Sequence, residues 1–305
     1  MTYDIIVVGG GPAGLTAAIY GARAARKVLV LEKESFGGQI VYTPIVDNYP
    51  AKAHISGMDL GNQMVQQAMD AGAECMSAEV TGIMRESEED PFTVETDVGS
   101  FVGRSVILAT GASHRHLGLE KEEEFIGRGI SYCGVCDGAF YAGKSVAVIG
   151  GGNSAFVNAL FLAERCREVL IIHCLDTWQG EAKLVEEALS RGNIITLMNK
   201  DTKKILAKDG EFIGLEIEDR INREKTHILC DGAFISVGQE PQSTPFAFMG
   251  ITDDMGYYDF DENCATQIKG LFVAGDGRKK KIRQLTTAVA DGAVAGLGAV
   301  EYTKK

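Results

Sequence analysis

Two segments of the chain repeat the same pattern of a short apolar strand, a run of glycines and a helix-forming stretch. The first comprises residues 4–14 and the second residues 145–155. Three small residues in each segment match at one constant offset of 141 positions: Gly9, Gly11 and Gly14 correspond to Gly150, Gly152 and Ala155. A second apolar strand follows each helix, at residues 27–32 and 168–173. A strand, a turn, a helix and another strand open a parallel sheet, so the repeat predicts an α/β protein.

The glycine turn of the first copy indicates a dinucleotide site. The first glycine makes the tight turn, the second lets the backbone approach a pyrophosphate, and the third packs the helix against the strand. The helix N-terminus then faces the anion. Glu32 lies 18 residues after Gly14, at the end of the second strand, where a carboxylate can accept hydrogen bonds from a ribose. The first copy is therefore predicted to bind a dinucleotide.

The second copy differs at the strand end. Its counterpart of Glu32 is His173, followed by Cys174, and both are predicted to be core residues of the strand. A 2′-phosphate requires arginine or lysine here, and neither occurs from residue 168 to residue 180. An NAD ribose would favour a carboxylate, and Asp176 comes three residues late. Two interpretations stay open: a fold that has lost or changed its nucleotide, and one that binds a nicotinamide nucleotide in the usual way.

Further apolar segments place the second repeat inside the first domain. The strand at residues 106–111 has a counterpart at residues 232–238, and a later strand, residues 271–276, ends at a carboxylate. Between the repeats the sequence predicts a helix and three strand-like pieces, at residues 57–72, 78–85, 92–96 and 100–102. The predicted fold class is α/β with two Rossmann-like domains, the second inserted into the first. The first comprises residues 1–114 and 243–305, and the second residues 115–242.

Cys133 and Cys136 are separated by two residues and lie just before the second repeat. Such a pair can form a small reversible disulfide ring that passes electrons by thiolate attack through a mixed disulfide. The alternatives are two unrelated core thiols and a zinc site, although zinc would require a second close pair of ligands. Asp137 is either the group that exchanges the thiol proton or a turn residue before Gly138.

Charge and cysteine content limit the classes of partner. The chain has 30 Lys+Arg against 42 Asp+Glu, and the net charge of -12 opposes binding to nucleic acid or anionic membranes. Seven cysteines in 305 residues are too few for a disulfide scaffold, which favours a reducing compartment. With no targeting segment and no apolar run of membrane length, a cytoplasmic protein is predicted. A basic cluster, residues 278–283, is interpreted as a solvated loop, with steering of an acidic partner as the alternative.

Eight short motifs match one family: GGGPAG (9–14), FGGQ (36–39), DNYP (47–50), ATGA (109–112), CGVCD (133–137), GGGNSA (150–155), AGD (274–276) and RQ (283–284). On these motifs the chain resembles the low-molecular-weight thioredoxin reductases along essentially its whole length. The resemblance implies an FAD domain made of both chain ends, an inserted domain that carries the dithiol, a homodimer, and thioredoxin as protein substrate.

The resemblance also implies roles for individual residues. Cys136 is the sulfur next to the flavin, Cys133 is the thiolate that attacks thioredoxin, and Asp137 is the proton-transfer acid. No metal is implied. The implied FAD-binding residues, with the first glycine turn on the pyrophosphate and Glu32 on the ribose, are Gly9, Gly11, Pro12, Ala13, Gly14, Glu32, Gly38, Gln39, Thr43, Asn48, Thr110, Gly111, Asp276, Arg283, Gln284 and Leu285.

One departure from the family pattern concerns the electron donor. Members that use NADPH carry His-Arg-Arg followed after three residues by Arg, where this chain has His173, Cys174, Leu175 and Gln179. The chain is similar in this respect to the ferredoxin-dependent flavin thioredoxin reductases, and reduced ferredoxin is the predicted donor. A conventional NADPH or NADH enzyme, an FAD-dependent dithiol oxidase and a non-enzymatic flavoprotein are the alternatives.

Overall fold

The computed structural model describes residues 2–43 and 45–304. The strands and helices up to residue 114 are β1 (Thr2–Val8), α1 (Pro12–Arg23), β2 (Val28–Glu32), α2 (Gly57–Asp70), β3 (Glu74–Ser77), β4 (Val80–Met84), β5 (Phe92–Thr96), β6 (Gly99–Leu108) and β7 (Ala112–His114). Those that follow are β8 (Ile130–Ser131), α3 (Gly134–Asp137), β9 (Ser145–Ile149), α4 (Asn153–Ala163), β10 (Glu168–Ile172), α5 (Ala182–Leu189), β11 (Ile194–Leu197), β12 (Lys200–Lys208), β13 (Glu211–Asp219), β14 (Lys225–Leu229), β15 (Gly232–Ile235), β16 (Gln239–Pro241), β17 (Leu271–Val273) and α6 (Leu285–Tyr302).

The chain forms two compact units, each with its own sheet. One unit comprises the chain up to Ser113 and the chain from Glu240 onward, and the other comprises His114–Gln239. The predicted domain boundaries lie after residues 114 and 242. In the part of the chain that the structure describes, no helix is long and apolar enough to cross a membrane.

The first unit is built on a seven-stranded sheet in the order β3-β2-β1-β6-β5-β4, with β17 paired to β6. Strands β1, β2, β3, β6 and β17 run parallel, and β4 and β5 add an antiparallel edge. The apolar run of β1 is buried on both faces, as central parallel strands require. Ile5 and Val7 pack with α1 and α6, whereas Ile6 and Val8 belong to a second cluster on the opposite face.

The sequence divided β6 wrongly. It predicted separate strands at residues 100–102 and 106–111, but one strand spans Gly99–Leu108. Continuous pairing explains the difference: Gly99–Gly103 pairs with β5 antiparallel, and Val106–Leu108 pairs with β17 parallel. Strand β1 pairs with β6 from Val102 to Leu108, so the hydrogen-bonded pairing continues across the point where the other partner changes.

The second unit repeats the arrangement. Its five-stranded sheet has the order β11-β10-β9-β15-β8, with parallel pairing throughout. Ile5 pairs with Val28 in the first unit, and Val146 pairs with Val169 in the second, so the offset of 141 holds for the strand register as well as for the glycines. A separate antiparallel sheet, β12-β13-β14, belongs to this unit. The predicted internal repeat is therefore present, and the structure shows that it extends to the strand register.

Candidate redox and nucleotide-binding site

The first glycine turn leaves no room for side chains at two of its three positions. Gly9 has φ +108°, and a Cβ there would lie 2.3 Å from Ala109 O. A Cβ on Gly14 would lie 1.9 Å from Gly9 O. At Gly11 the nearest atom to a Cβ would be the Cα of Gly38 at 3.8 Å, so the protein itself tolerates a side chain there. Gly9 and Gly14 are thus needed to form the turn, whereas Gly11 keeps open space in front of it.

The N-terminus of α1 offers unpaired backbone donors. Gly11 is the N-cap and has no side chain that could cap the helix, and the first turn begins with Pro12, which has no N–H, and Ala13. The first N–H groups of a helix have no intrahelical partner and attract anions. Nearby, Gly275 packs close, since a Cβ on it would lie 2.9 Å from the Ala13 Cβ. The ends of β1 and β17 therefore meet at this helix terminus.

Glu32 is fixed at the carboxyl end of β2. Its Oε2 accepts a hydrogen bond from Gly10 N at 2.6 Å, and its Oε1 accepts one from Glu34 N at 2.8 Å. Each carboxylate oxygen has a second lone pair, so the group can still accept hydrogen bonds from a ribose.

A second wall of the site comes from the chain after β17. Asp276 Oδ1 is buried, and Lys280 Nζ lies 3.4 Å from it. The Arg283 guanidinium stacks on the Tyr257 ring, 4.3 Å from its centroid, and donates to Asp276 O at 3.1 Å. Gln284 caps α6, in which Leu285 is the first residue, and accepts a hydrogen bond from Asn48 Nδ2 at 3.3 Å. Predicted residues from distant parts of the sequence are thus brought together.

The remaining predicted cofactor residues line the same unit. Thr110 Oγ1 lies 3.1 Å from Tyr258 OH, and Gly111 has φ +68° and accepts from Gln242 N at 3.0 Å. Gly38 and Gln39 begin a 3₁₀ helix, Gly38–Tyr42. Thr43 O accepts from Gly57 N, which places the residue at the start of α2.

These residues fit the FAD that the family resemblance implies. The glycine turn keeps a cradle that a Cβ at Gly11 would begin to fill, beside an uncapped helix N-terminus suited to a pyrophosphate. The partly exposed Asp276 carboxylate and the anchored Glu32 carboxylate provide acceptors for hydroxyl groups.

Cys133 and Cys136 form a disulfide in the second unit. Cys133 is the N-cap of α3, and its Sγ accepts a hydrogen bond from Cys136 N at 3.1 Å. Gly134 N donates to Asn158 Oδ1 at 3.2 Å, which ties the dithiol loop to α4. An N–H directed at Cys133 Sγ stabilises negative charge on that sulfur once the disulfide is reduced.

Asp137 has the environment of a proton-transfer group. Its Oδ2 accepts a hydrogen bond from Ser131 Oγ at 2.7 Å, while its Oδ1 is buried without a partner. Burial raises the pKa of the Asp137 carboxyl, and the Ser131 hydrogen bond opposes part of that rise. A carboxyl whose pKa is raised toward neutrality can both give and take a proton.

The strand end of the second glycine turn is filled by the chain itself. His173 is buried, as predicted, and its ring stacks on Trp178 with centroids 5.3 Å apart. A Cβ on Gly151 would lie 2.4 Å from His173 Cε1, so the ring rests directly on the turn. The prediction that Cys174 is a core residue was wrong: its side chain is exposed, because β10 ends at Ile172 and the chain leaves the sheet there.

Arg220 is a cation at this strand end that the sequence did not reveal. It follows β13, and its Nη1 donates to Cys174 O at 3.0 Å while Nε lies 3.8 Å from Asp201. The predicted absence of cations considered only residues 168–180, and no local signal links position 220 to that stretch. The Arg220 guanidinium already contacts the Cys174 carbonyl and the Asp201 carboxylate.

The basic cluster is mostly paired rather than free. Arg278 lies 2.9 Å from Asp291, Lys279 lies 2.7 Å from Asp259, and Lys280 lies 3.0 Å from Asp291. Lys281 is exposed and has no ion pair within the described residues. The interpretation as a solvated loop is wrong for Arg278, which is buried. The i, i+4 spacing of Asp276 and Lys280 is the sequence signal that could have revealed this network.

Comparisons with known proteins agree on one family. A sequence profile described as "Pyridine nucleotide-disulphide oxidoreductase" matches residues 3–292. The thioredoxin reductase of Bacillus subtilis is 36% identical over 303 residues, which cover 99% of this chain and 95% of the relative. A "34.2 kDa protein in rubredoxin operon" of Clostridium pasteurianum is 39% identical over 299 residues, covering 98% of this chain and 96% of the relative.

A solved structure gives the same result. The crystal structure of thioredoxin reductase from Streptococcus pyogenes matches with a TM-score of 0.90 and 36% identity, covering 99% of this chain and 98% of that chain. Identity and coverage of this extent concern the whole chain, including both glycine turns and the dithiol. The protein therefore belongs to the pyridine nucleotide-disulphide oxidoreductases, and within them to the low-molecular-weight thioredoxin reductases, a family of FAD enzymes.

Proposed function

We propose that the protein reduces the disulfide of thioredoxin through the Cys133–Cys136 pair, with reduced ferredoxin rather than NADPH as the electron donor. The observation that carries the first part is the Cys133–Cys136 disulfide beside a buried carboxyl, in a chain whose relatives include thioredoxin reductases. In this proposal the first unit binds FAD through the residues named above, and the second unit carries the dithiol.

The dithiol residues have distinct tasks. FAD bound to the first unit and reduced by the electron donor would supply the two electrons that reduce the Cys133–Cys136 disulfide. The Cys133 thiolate then attacks one sulfur of the thioredoxin disulfide, and the other sulfur leaves as a thiolate that takes up a proton. Cys136 attacks Cys133 in the mixed disulfide, which releases reduced thioredoxin and restores the ring. The hydrogen bond from Cys136 N to Cys133 Sγ supports Cys133 as the attacking thiolate.

Asp137 exchanges the protons of these steps in the proposed mechanism. Thiol–disulfide exchange needs a thiolate to attack and a proton for the leaving sulfur, so an acid and a base are required in turn. The raised pKa of Asp137 and its unpaired Oδ1 support this role over that of a simple turn residue.

The strand end at residues 173–179 supports ferredoxin as donor. Lost charged contacts to a 2′-phosphate, at roughly 1.5–3 kcal/mol each, weaken NADPH binding by orders of magnitude. The His173 ring, which stacks on Trp178, occupies the space against Gly151. Arg220 is the observation that favours the rival, a pyridine-nucleotide enzyme with altered contacts, because its guanidinium donates a hydrogen bond to Cys174 O at this strand end.

The donor is tested by anaerobic mixing of the oxidised holoenzyme with NADPH, NADH, reduced ferredoxin or reduced rubredoxin. Flavin absorbance reports reduction of the enzyme, and thiol titration reports reduced thioredoxin. We expect ferredoxin to bleach the flavin and drive thiol release, with NADPH and NADH inactive at micromolar concentrations.

Rapid bleaching by micromolar NADPH would overturn the ferredoxin assignment. The variant Arg220→Ala then identifies the site, since NADPH bound through the second unit would lose affinity in that variant. Consumption of oxygen with a dithiol, without reduction by any of the donors, would instead indicate a dithiol oxidase.

Assembly and compartment are parts of the same proposal. We propose a homodimer, as the family resemblance implies, which sedimentation equilibrium tests by the mass in solution. We also propose a cytoplasmic location, supported by five free cysteines alongside a working dithiol. Fractionation of cells that contain the tagged protein measures the location.

A further inference from the structure

A cluster of four charged side chains lies behind the Asp276 wall of the FAD site. Asp291 Oδ1 lies 2.9 Å from Arg278 Nη1, and Asp291 Oδ2 lies 3.0 Å from Lys280 Nζ. Lys280 Nζ lies 3.4 Å from Asp276 Oδ1. Lys280 and Asp291 are only 15% and 14% exposed, so these charges interact with little screening by water.

Asp291 holds the cluster in place through contacts with the backbone and with two cations. Its Oδ2 also accepts a hydrogen bond from Gly275 N at 3.0 Å, next to Asp276 in the chain. Arg278 is held in turn by the carbonyl oxygens of Phe260, at 3.2 Å, and Asp261. Lys280 therefore sits between one carboxylate that anchors it and a second, Asp276, that it faces.

Asp276 is oriented by this contact. Its Oδ1 is buried on the side of Lys280, yet the side chain as a whole is 33% exposed. The exposed part must therefore be Oδ2 and the carbon atoms. The carboxylate therefore presents one oxygen to the lysine and leaves the other accessible to a ligand.

The charged groups that act on Asp276 are Lys280, Arg283 and Asp291. Burial raises the pKa of the Asp276 carboxyl, Lys280 and Arg283 lower it, and Asp291 raises it further. Lys280 is the largest of the stabilising influences on the ionised form. Without that cation, burial and Asp291 would act with only Arg283 to oppose them.

We propose that Lys280 is a positioning residue for the cofactor, which keeps Asp276 ionised and turned so that Oδ2 accepts a hydrogen bond from FAD. The inference rests on the FAD site of the proposed function but on neither the donor nor thioredoxin. If Lys280 proves irrelevant to FAD binding, the proposed function is unaffected. If the donor or thioredoxin assignment fails, the inference about Lys280 is unaffected.

The test measures FAD affinity of the apoprotein, from the change in flavin fluorescence, between pH 5.5 and pH 8.5. The variants are Lys280→Met, Lys280→Gln and Lys280→Arg, with Lys279→Met as the matched control because Lys279 is exposed and pairs with Asp259 instead. We expect Lys280→Met to bind FAD roughly tenfold more weakly at pH 7, the loss of one charge-assisted hydrogen bond.

The pH dependence separates positioning from a purely structural role. As the pH falls through the pKa of Asp276, the carboxylate is protonated and FAD affinity falls. Loss of the cation raises that pKa, so in Lys280→Met and Lys280→Gln the fall begins at higher pH, whereas Lys280→Arg keeps the wild-type midpoint. The proposal is overturned if the midpoint is unchanged in both neutral variants, or if Lys280→Arg loses affinity as they do. Circular dichroism confirms folding, and Lys280→Gln serves if Lys280→Met does not fold.

Discussion

The Ser131 hydroxyl connects Cys133 to the buried carboxyl of Asp137. It accepts a hydrogen bond from Cys133 N at 3.1 Å and donates one to Asp137 Oδ2 at 2.7 Å. One side chain thus fixes the backbone at the thiol and the orientation of the carboxyl. Proton transfer depends on such geometry before it depends on pKa.

Replacement Ser131→Ala is expected to move the pH dependence of turnover. The hydroxyl lowers the pKa of Asp137, so its loss raises that pKa further and the transition in the pH–rate profile shifts to higher pH. Thioredoxin reduction measured from pH 5.5 to pH 9 reports the shift. An unchanged midpoint would mean that Asp137 does not control the rate-limiting step.

Replacement Asp137→Asn is expected to lower thioredoxin turnover by roughly 10²–10⁴-fold, the usual size of a general acid–base contribution. It should also stabilise the fold at pH 8. Because burial raises the folded-state pKa of Asp137, the ionised form is penalised above that pKa, and the neutral amide avoids the penalty.

Thermal unfolding checks the second effect. The melting temperature of Asp137→Asn should exceed that of the wild-type protein at pH 8, and the difference should vanish at acidic pH, where the carboxyl is neutral in both states. A lower melting temperature at pH 8 would contradict the assigned direction of the pKa shift.

Residues in the dithiol motif were predictable because their chemistry is local. The spacing of Cys133 and Cys136 and the adjacent Asp137 are visible in five consecutive residues. Arg220 and Asp291 act on groups far away in the sequence, on Cys174 and on Lys280, and only the fold brings them there. The sequence therefore predicted the dithiol and the acid beside it, and it missed contacts between residues that are distant in the chain.

At the scale of elements, the two glycine turns are alike in backbone and different in surroundings. Gly11 and Gly152 are equivalent N-cap residues of α1 and α4. Neither Cβ would clash with the protein, since the nearest atom is 3.8 Å away at Gly11 and nothing lies within 4 Å at Gly152. Any effect of a methyl group at these positions therefore reports on a ligand.

The pair Gly11→Ala and Gly152→Ala tests the use of each turn. Gly11→Ala is expected to weaken FAD binding by at least tenfold, because the methyl group enters the space reserved for the pyrophosphate. Gly152→Ala is expected to leave turnover with reduced ferredoxin unchanged. Fluorescence titration with FAD and steady-state turnover measure the two effects, and a loss of turnover in Gly152→Ala would indicate a ligand at the second turn.

Elements with one continuous hydrophobic pattern were predicted correctly, whereas the strand that pairs antiparallel at one end and parallel at the other was not. The helix predicted at residues 57–72 is α2 (Gly57–Asp70), and the strand predicted at residues 92–96 is β5 (Phe92–Thr96). Strand β6 was divided because its first half is partly exposed, whereas its last four residues are buried and, apart from Ser105, apolar. Hydrophobic periodicity reads these as two strands, although one ladder of hydrogen bonds spans both.

For the whole molecule, the net charge of -12 determines the long-range electrostatic interaction with charged partners. The basic cluster offsets it little, because Arg278, Lys279 and Lys280 are paired with carboxylates of the same chain. Association with an acidic ferredoxin is therefore opposed by long-range repulsion. Dissolved salt screens that repulsion over about 10 Å at 0.1 M.

The rate of flavin reduction by an acidic ferredoxin is therefore expected to rise with ionic strength. Stopped-flow mixing between 10 and 300 mM salt measures the trend, with Lys281→Ala as a control for the exposed lysine of the cluster. A rate that falls with salt, and falls less steeply in Lys281→Ala, would mean that a local basic surface guides the donor.

Gly150 is required by the protein itself, whatever its turn binds. A Cβ at Gly150 would lie 2.3 Å from Ser236 O, the same distance that separates a Cβ at Gly9 from Ala109 O. Each glycine is demanded by its own sheet, whatever lies in front of the turn. A mutational scan of this gene would score Gly150 as essential for folding alone. A glycine motif in the second unit therefore identifies its fold and not its ligand. Whether the protein tolerates a side chain at Gly152 indicates whether a ligand binds at that turn.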